Sequence, residues 1–275
     1  MMKFRYQCMA ACMGLLALAA CRPMERTVAT DPPGTDAASQ AALSQQNVDA
    51  VIWQNSSAEA YRLYQQGYEL ARIKLERNLA RPHALPPAVI VDIDETVLDN
   101  SPSNAEDAAQ GRTFNNKDWK AWTSLAKAKA LPGAVEFLDH AVAQGCAVYY
   151  ITNREADEWG PTMRNLATEG FPMADSAHVL PMQGSSDKSS RRQAVATDHY
   201  VALLVGDQLT DFDQAFHDRG ADFGKGKVDA LQDTLEHWFV LLPNALYGTW
   251  LNTVSGRTDT LKLDRKQRFL QEHGY

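Results

Sequence analysis

The chain has 275 residues, 22% of them charged, and a formal net charge of −7. That length fits one large α/β domain with an insertion, and the acidic balance argues against a nucleic-acid polymer as the main partner. The seven histidines show no metal-ligand spacing, which argues against a zinc site.

Lys3 and Arg5 precede an apolar segment from Met9 to Ala20. It is too short to span a bilayer and of the right length for the apolar core of a signal peptide. It ends in Leu18-Ala19-Ala20-Cys21. Small residues before a cysteine resemble the bacterial lipoprotein signal, in which the cysteine is acylated and becomes the first residue. The sequence thus predicts a signal over residues 1–20 and a lipid on Cys21, anchoring the protein to a membrane of the bacterial cell envelope. Arg22, where an aspartate would signal retention, directs the expectation to the outer membrane. The alternative is an ordinary signal peptide with Cys21 incidental. Residues 21–46 are poor in large apolar side chains and predict a flexible tether. Only Cys146 then remains beyond the lipidation site, so no intramolecular disulfide is expected. No later stretch is long and apolar enough to cross a membrane.

Residues 47–275 read as one domain. Tyr61, Tyr64, Tyr68 and Ala71 give one apolar-aromatic side to a helix over about Ser57–Leu79. After the Pro86-Pro87 break, Ala88–Ile93 reads as a buried strand. A polar, Trp-bearing insertion covers about residues 100–130. Pro132 opens a helix that Gly145 stops. Cys146–Ile151 is a strand, Glu158–Glu169 a helix stopped by Gly170, and His178–Leu180 a short strand. A basic helix covers about Ser190–Thr197, and Tyr200–Val205 is a strand. Further helices are expected near Ala230–His237 and Leu261–His273. This βα alternation predicts an α/β fold, a Rossmann-like parallel sheet flanked by helices, with a small, mainly helical cap inserted after the Ala88–Ile93 strand.

Four pieces of chemistry fall at strand ends, where parallel α/β sheets bind ligands. They are Asp92-x-Asp94; Thr152-Asn153-Arg154; Lys188 with Arg191 and Arg192; and Gly206-Asp207-Gln208-Leu209-Thr210-Asp211. Each alone is ordinary turn, cap or surface chemistry. In this order, at four strand ends, they resemble the haloacid dehalogenase superfamily of aspartate-nucleophile phosphatases. Asp92-Ile-Asp-Glu-Thr-Val-Leu-Asp-Asn100, the Gly206–Phe212 segment and the later Leu242–Trp250 segment are similar to its class C acid phosphatase, or lipoprotein e, branch.

The resemblance implies hydrolysis of phosphate monoesters, and of 5′-nucleotides in particular. Asp92 is the expected nucleophile and Asp94 the expected general acid and base, acting through an aspartyl-phosphate. A carboxylate attacks a dianionic phosphate poorly unless charge is neutralised, so Mg²⁺ is the expected cofactor. Its expected ligands are Asp92, the Asp94 backbone carbonyl and Asp207, with Asp211 through a water or orienting Lys188. Thr152, Asn153 and Lys188 are expected to hold phosphate; for Arg154 and Arg191 phosphate contact and ion pairing both stay open. These acids, with a phosphate that ionises near pH 6, predict best activity on the acid side of neutral. Phe114, Trp119, Trp122 and Tyr247 are candidates to stack on a planar leaving group such as a nucleoside; for the first three, packing of the insertion onto the domain is the alternative, and for Tyr247, anchoring of the carboxyl-terminal segment. A phosphotransferase and a non-catalytic binding lipoprotein are the rival functions. The resemblance allows a homodimer, which composition does not show.

Overall fold

The computed structural model describes residues 37–254 and 258–274. The expected signal and Cys21 lie outside them. In chain order the first elements are α1 (Ala37–Ser56), α2 (Ala58–Leu79), β1 (Pro87–Val91), β2 (Leu98–Asp99), α3 (Ser101–Ala109), α4 (Asn116–Ser124) and β3 (Lys129–Ala130). Then follow α5 (Ala134–Ala143), β4 (Ala147–Ile151), α6 (Trp159–Thr168), β5 (Val179–Leu180), α7 (Ser189–Asp198) and β6 (Tyr200–Gly206). The last are α8 (Lys225–Ala230), α9 (Gln232–Trp238), β7 (Phe239–Leu241), α10 (Thr249–Asn252) and α11 (Asp259–His273).

β5-β4-β1-β6-β7 form one sheet, parallel throughout. Parallel strands covered on both faces read as unbroken apolar runs, and Ala88-Val89-Ile90-Val91 is such a run. Alternate residues of β1 face opposite cores. Val89 and Val91 pack with Tyr68, Ala71 and Leu75 of α2 and with Phe137 and Leu138 of α5. Ala88 and Ile90 pack with Val195 of α7. Burying a side chain of this size stabilises by about 1.5–3 kcal/mol, so β1 is anchored from both faces. The chain leaves β1 for β4 and β5 on one side, then crosses to β6 and β7 on the other. The sheet therefore has its switch point beside β1, and the crevice opens there.

β2 and β3 form a small antiparallel ladder. With α3 and α4 they make up the expected insertion. Ser57 caps α2 by accepting from the Ala60 N–H at 3.0 Å, and Asn115 caps α4 by accepting from Asp118 N–H at 2.9 Å.

The tether expected over residues 21–46 is corrected in its second part: residues 37–46 belong to α1. Its Ala and Gln residues favour helix, but its polar composition hides the buried side. That side is built from Leu43 and Val51 together with Ser39, Ser44 and Gln54. Among the described residues no helix is long and apolar enough to cross a membrane.

Candidate active site

β1 ends in a tight turn rather than continuing straight. The Asp92 N–H still pairs with Val205 O at 3.0 Å, but the N–H groups of Val97 and Leu98 both return to Ile93 O at 2.9 Å. Glu95 takes a left-handed conformation, φ 56°, to close the turn, at a cost of about 1–2 kcal/mol for a residue with a Cβ. Asp92 and Asp94 are thereby turned into one cavity of about 890 Å³, together with Lys188, Asp207 and Asp211.

The Lys188 ammonium donates to Asp92 Oδ1 and, at 2.8 Å, to Asp211 Oδ1. Both acids and the lysine are buried. Oxygen atoms of Asp92, Asp207 and Asp211 lie within 4.8 Å of one another. Asp207 is held by three donors: Thr96 Oγ1 at 3.3 Å, Gln208 Nε2 at 2.9 Å and Asn244 Nδ2 at 2.7 Å. Asp211 is braced by the Gln208 N–H at 2.9 Å. A Cβ at Gly206 would stand 2.5 Å from Asp211 Oδ2, so only glycine lets that carboxylate approach the strand end.

Burial would lower the Lys188 ammonium pKa, but Asp211 and Asp92 outweigh it and hold it charged. Burial, with Asp211 and Asp207 adding to it, pushes Asp92 well above the usual carboxylate range, with Lys188 opposing. Burial and Asp211 raise Asp207 to about 6. With all three ionised, the carboxylates would outnumber the one ammonium by two charges. This all-oxygen donor set suits a hard divalent cation.

Asp94 lies apart from that cluster. The buried Arg154 donates to Asp94 Oδ1 through Nη2 at 2.7 Å and through Nε at 3.0 Å. Asn100 Nδ2 donates to the same oxygen at 2.9 Å. Arg191 donates to the backbone carbonyl of Thr152 and to Asn153 Oδ1 at 2.9 Å, which fixes the loop after β4.

Over residues 14–250 the chain matches the HAD superfamily, subfamily IIIB (acid phosphatase). The chain belongs to this family. A solved class C acid phosphatase from Bacillus anthracis is 32% identical, with a TM-score of 0.77 over 82% of this chain and 97% of that one. A second structure of that protein, with tungstate bound, gives a TM-score of 0.78 at 31% identity over the same shares. Acid phosphatase 1 of Solanum lycopersicum is 28% identical over 131 residues, 44% of this chain. The chain spans half the length of that tomato relative. The class C likeness bears out the expected fold: a parallel α/β sheet with flanking helices.

Within this subfamily IIIB chain the four expected strand-end segments meet in one pocket. Asp92, Asp94, Asn153, Lys188, Asp207 and Asp211 all line it. Thr152 sits behind the wall, fully buried. Its hydroxyl accepts from the Arg154 N–H at 3.1 Å and lies 3.5 Å from Asp94 Oδ2. Arg154 and Arg191, left open between phosphate contact and ion pairing, are both committed within the protein. Asp211 stands in the carboxylate cluster itself as well as on Lys188.

Phe114, Trp119 and Tyr247 line the pocket, and so does Trp250. The Phe114 and Trp119 rings lie 6.1 Å apart. Trp122 does not join them, which corrects its place among the substrate-facing aromatics. It packs against the core, and its indole N–H donates to Asn100 Oδ1 at 2.8 Å. Although three apart on α4, the two rings part ways: Trp119 reaches the pocket beside the Arg154 guanidinium, while Trp122 reaches the core.

Sequence reasoning missed Asn100, which ties Asp94, Arg154 and Trp122 together. It also missed Glu95, whose buried carboxyl accepts from the Asn100 N–H at 2.9 Å and from the Tyr247 hydroxyl. Burial, then Asp94 and Asp207, push Glu95 well above the usual carboxylate range. Both residues stand inside the quoted Asp92–Asn100 motif, and that was the available signal.

Proposed function

We propose that the protein hydrolyses phosphate monoesters through an aspartyl-phosphate on Asp92, with a divalent cation, Mg²⁺ by preference, held by Asp92, Asp207 and Asp211. The observation that carries this is the clustering of three buried carboxylates, two of them on one buried lysine, at the switch point of the sheet. The bound cation supplies charge neutralisation at the phosphoryl group. Asp92 attacks phosphorus, and the bond to the ester oxygen breaks as the new one forms. Asp94, oriented by Arg154 and Asn100, gives the leaving oxygen its proton and then takes one from the water that cleaves the acyl-phosphate. Lys188 offsets charge on Asp92 and on the phosphoryl oxygens. Asn153 and backbone N–H groups of the same loop complete the cradle. The tungstate-bound relative supports an oxyanion site in this fold.

The cation dependence has a predicted pH signature. Ligand carboxylates must be ionised to bind metal, and Asp207 stands at about 6 without it. Below that value each proton competes with the metal. The apparent metal affinity should therefore weaken about tenfold per pH unit as pH falls below about 6. Titrating chelator-treated protein with Mg²⁺ at pH 5 and pH 7 checks this. Equal affinities at the two values would remove Asp207 from the ligand set.

We infer further that the substrates are nucleoside monophosphates, because Phe114, Trp119 and Tyr247 flank the cavity that holds Asp92. Stacking a base on an aromatic ring contributes about 1–3 kcal/mol. Trp119→Ala should raise KM for a nucleoside 5′-monophosphate about tenfold, and hardly alter it for a small alkyl phosphate. An unchanged nucleotide KM would sink the nucleotide reading alone. Anchoring through a lipid on Cys21 to the cell envelope is part of the same proposal and is supported by the leader sequence.

A further inference from the structure

The cavity does not end at the aromatic residues. Its wall runs on to α1, at Asn47 and Ala50, to α3, at Ser103 and Asp107, and to Lys262 and Lys266 of α11. A volume of about 890 Å³ stands near the upper end of the roughly 300–1,000 Å³ typical of small-ligand sites. This region has its own charge pattern. Asp107 is matched by Arg112, whose Nη2 lies 3.0 Å away. Lys262 is matched by Asp259, also at 3.0 Å. Lys266 is matched by nothing: among the described residues it has no hydrogen-bond or ion-pair partner.

Lys266 stands one turn after Lys262, on the same side of α11, where like charges oppose each other. It is half-buried, and burial together with Lys262 lowers its pKa from the usual value. An ammonium placed against a like charge and partly withdrawn from water weakens the apo fold. A dianion at that end of the cavity would reverse both penalties.

We propose that Lys266, with Lys262, forms a second anion subsite, and that the enzyme takes phosphate monoesters whose leaving group carries a second phosphate. This rests on the phosphomonoester reading: one phosphate lies at Asp92 while the other reaches α11. The subsite needs a tethered second phosphate, so the advantage must depend on spacer length.

The test is a ladder of α,ω-alkanediol bisphosphates against the matching monophosphates, in saturating Mg²⁺. Binding is measured by calorimetry on the Asp92→Asn protein, and turnover on the wild type. At one spacer length the bisphosphate should bind about tenfold tighter than its monophosphate, the size of one charge-assisted contact. Adding Lys266→Gln should erase that ratio, and Lys266→Arg should keep it. An advantage absent at every length, equal at all lengths, or indifferent to Lys266→Gln overturns the subsite, whatever the turnover. A length-dependent advantage without any wild-type turnover upholds the subsite and overturns the phosphatase reading instead.

Discussion

Asp92→Asn is expected to slow phosphate release by at least about 10⁴-fold, the scale seen when a covalent nucleophile is removed. The substitution conserves shape at a site pinned by the Asp92 N–H bond to Val205 O. It also removes one of three crowded carboxylates that share a single ammonium, Lys188. Lys188 keeps Asp211 as its partner. The variant should therefore fold, with a metal-free melting temperature no lower than that of the wild type. Loss of activity with an intact fold separates a chemical role from a structural one. Release of phosphate within tenfold of the wild-type rate would remove Asp92 as nucleophile.

Lys188→Met should have the second-largest effect, and its signature is different. Truncating one member of a buried ion pair strands the other charge and costs about 3–5 kcal/mol. Here two carboxylates, Asp92 and Asp211, lose their shared donor at once. In chelator, the unfolding free energy extrapolated from urea titration should fall by an amount in that range, and the midpoint with it. With saturating divalent cation much of the loss should return, because the ion supplies positive charge at the same carboxylates. Activity should stay about 10²–10³-fold low even then, since the donor proposed for the phosphoryl group is gone. An unchanged midpoint in chelator would show that Lys188 does not compensate those acids.

The sheet was legible wherever apolar runs were long. β1, β4 and β6 stand within two residues of their expected bounds, because strands buried on both faces need unbroken apolar sequence. β7 was missed: three residues at a sheet edge give no periodicity. α1 was missed for another reason. Its buried positions are largely Ser and Gln, so it carries the composition of a tether. In the site, Asp92, Asp94, Lys188 and Asp207 were legible because each follows a strand, and parallel strands deliver their ends to one crevice. The support around them was not. Arg154 reaches Asp94 across 60 positions of sequence, and Tyr247 reaches Glu95 across 152. No local pattern encodes such a pairing. The walls from α1 and α11 were equally invisible, because they depend on how those two helices, far apart in sequence, pack together.

The central claim is that phosphorus is transferred to Asp92. An aryl phosphate leaves without needing a proton, so Asp94→Asn should still form the acyl-phosphate but hydrolyse it slowly. Rapid quenching of that variant in acid, followed by peptide mass spectrometry, should find one phosphoryl group on the peptide holding Asp92, lost on treatment with hydroxylamine. A quenched, turning-over protein that carries no phosphoryl group, or carries it on another side chain, would contradict the account.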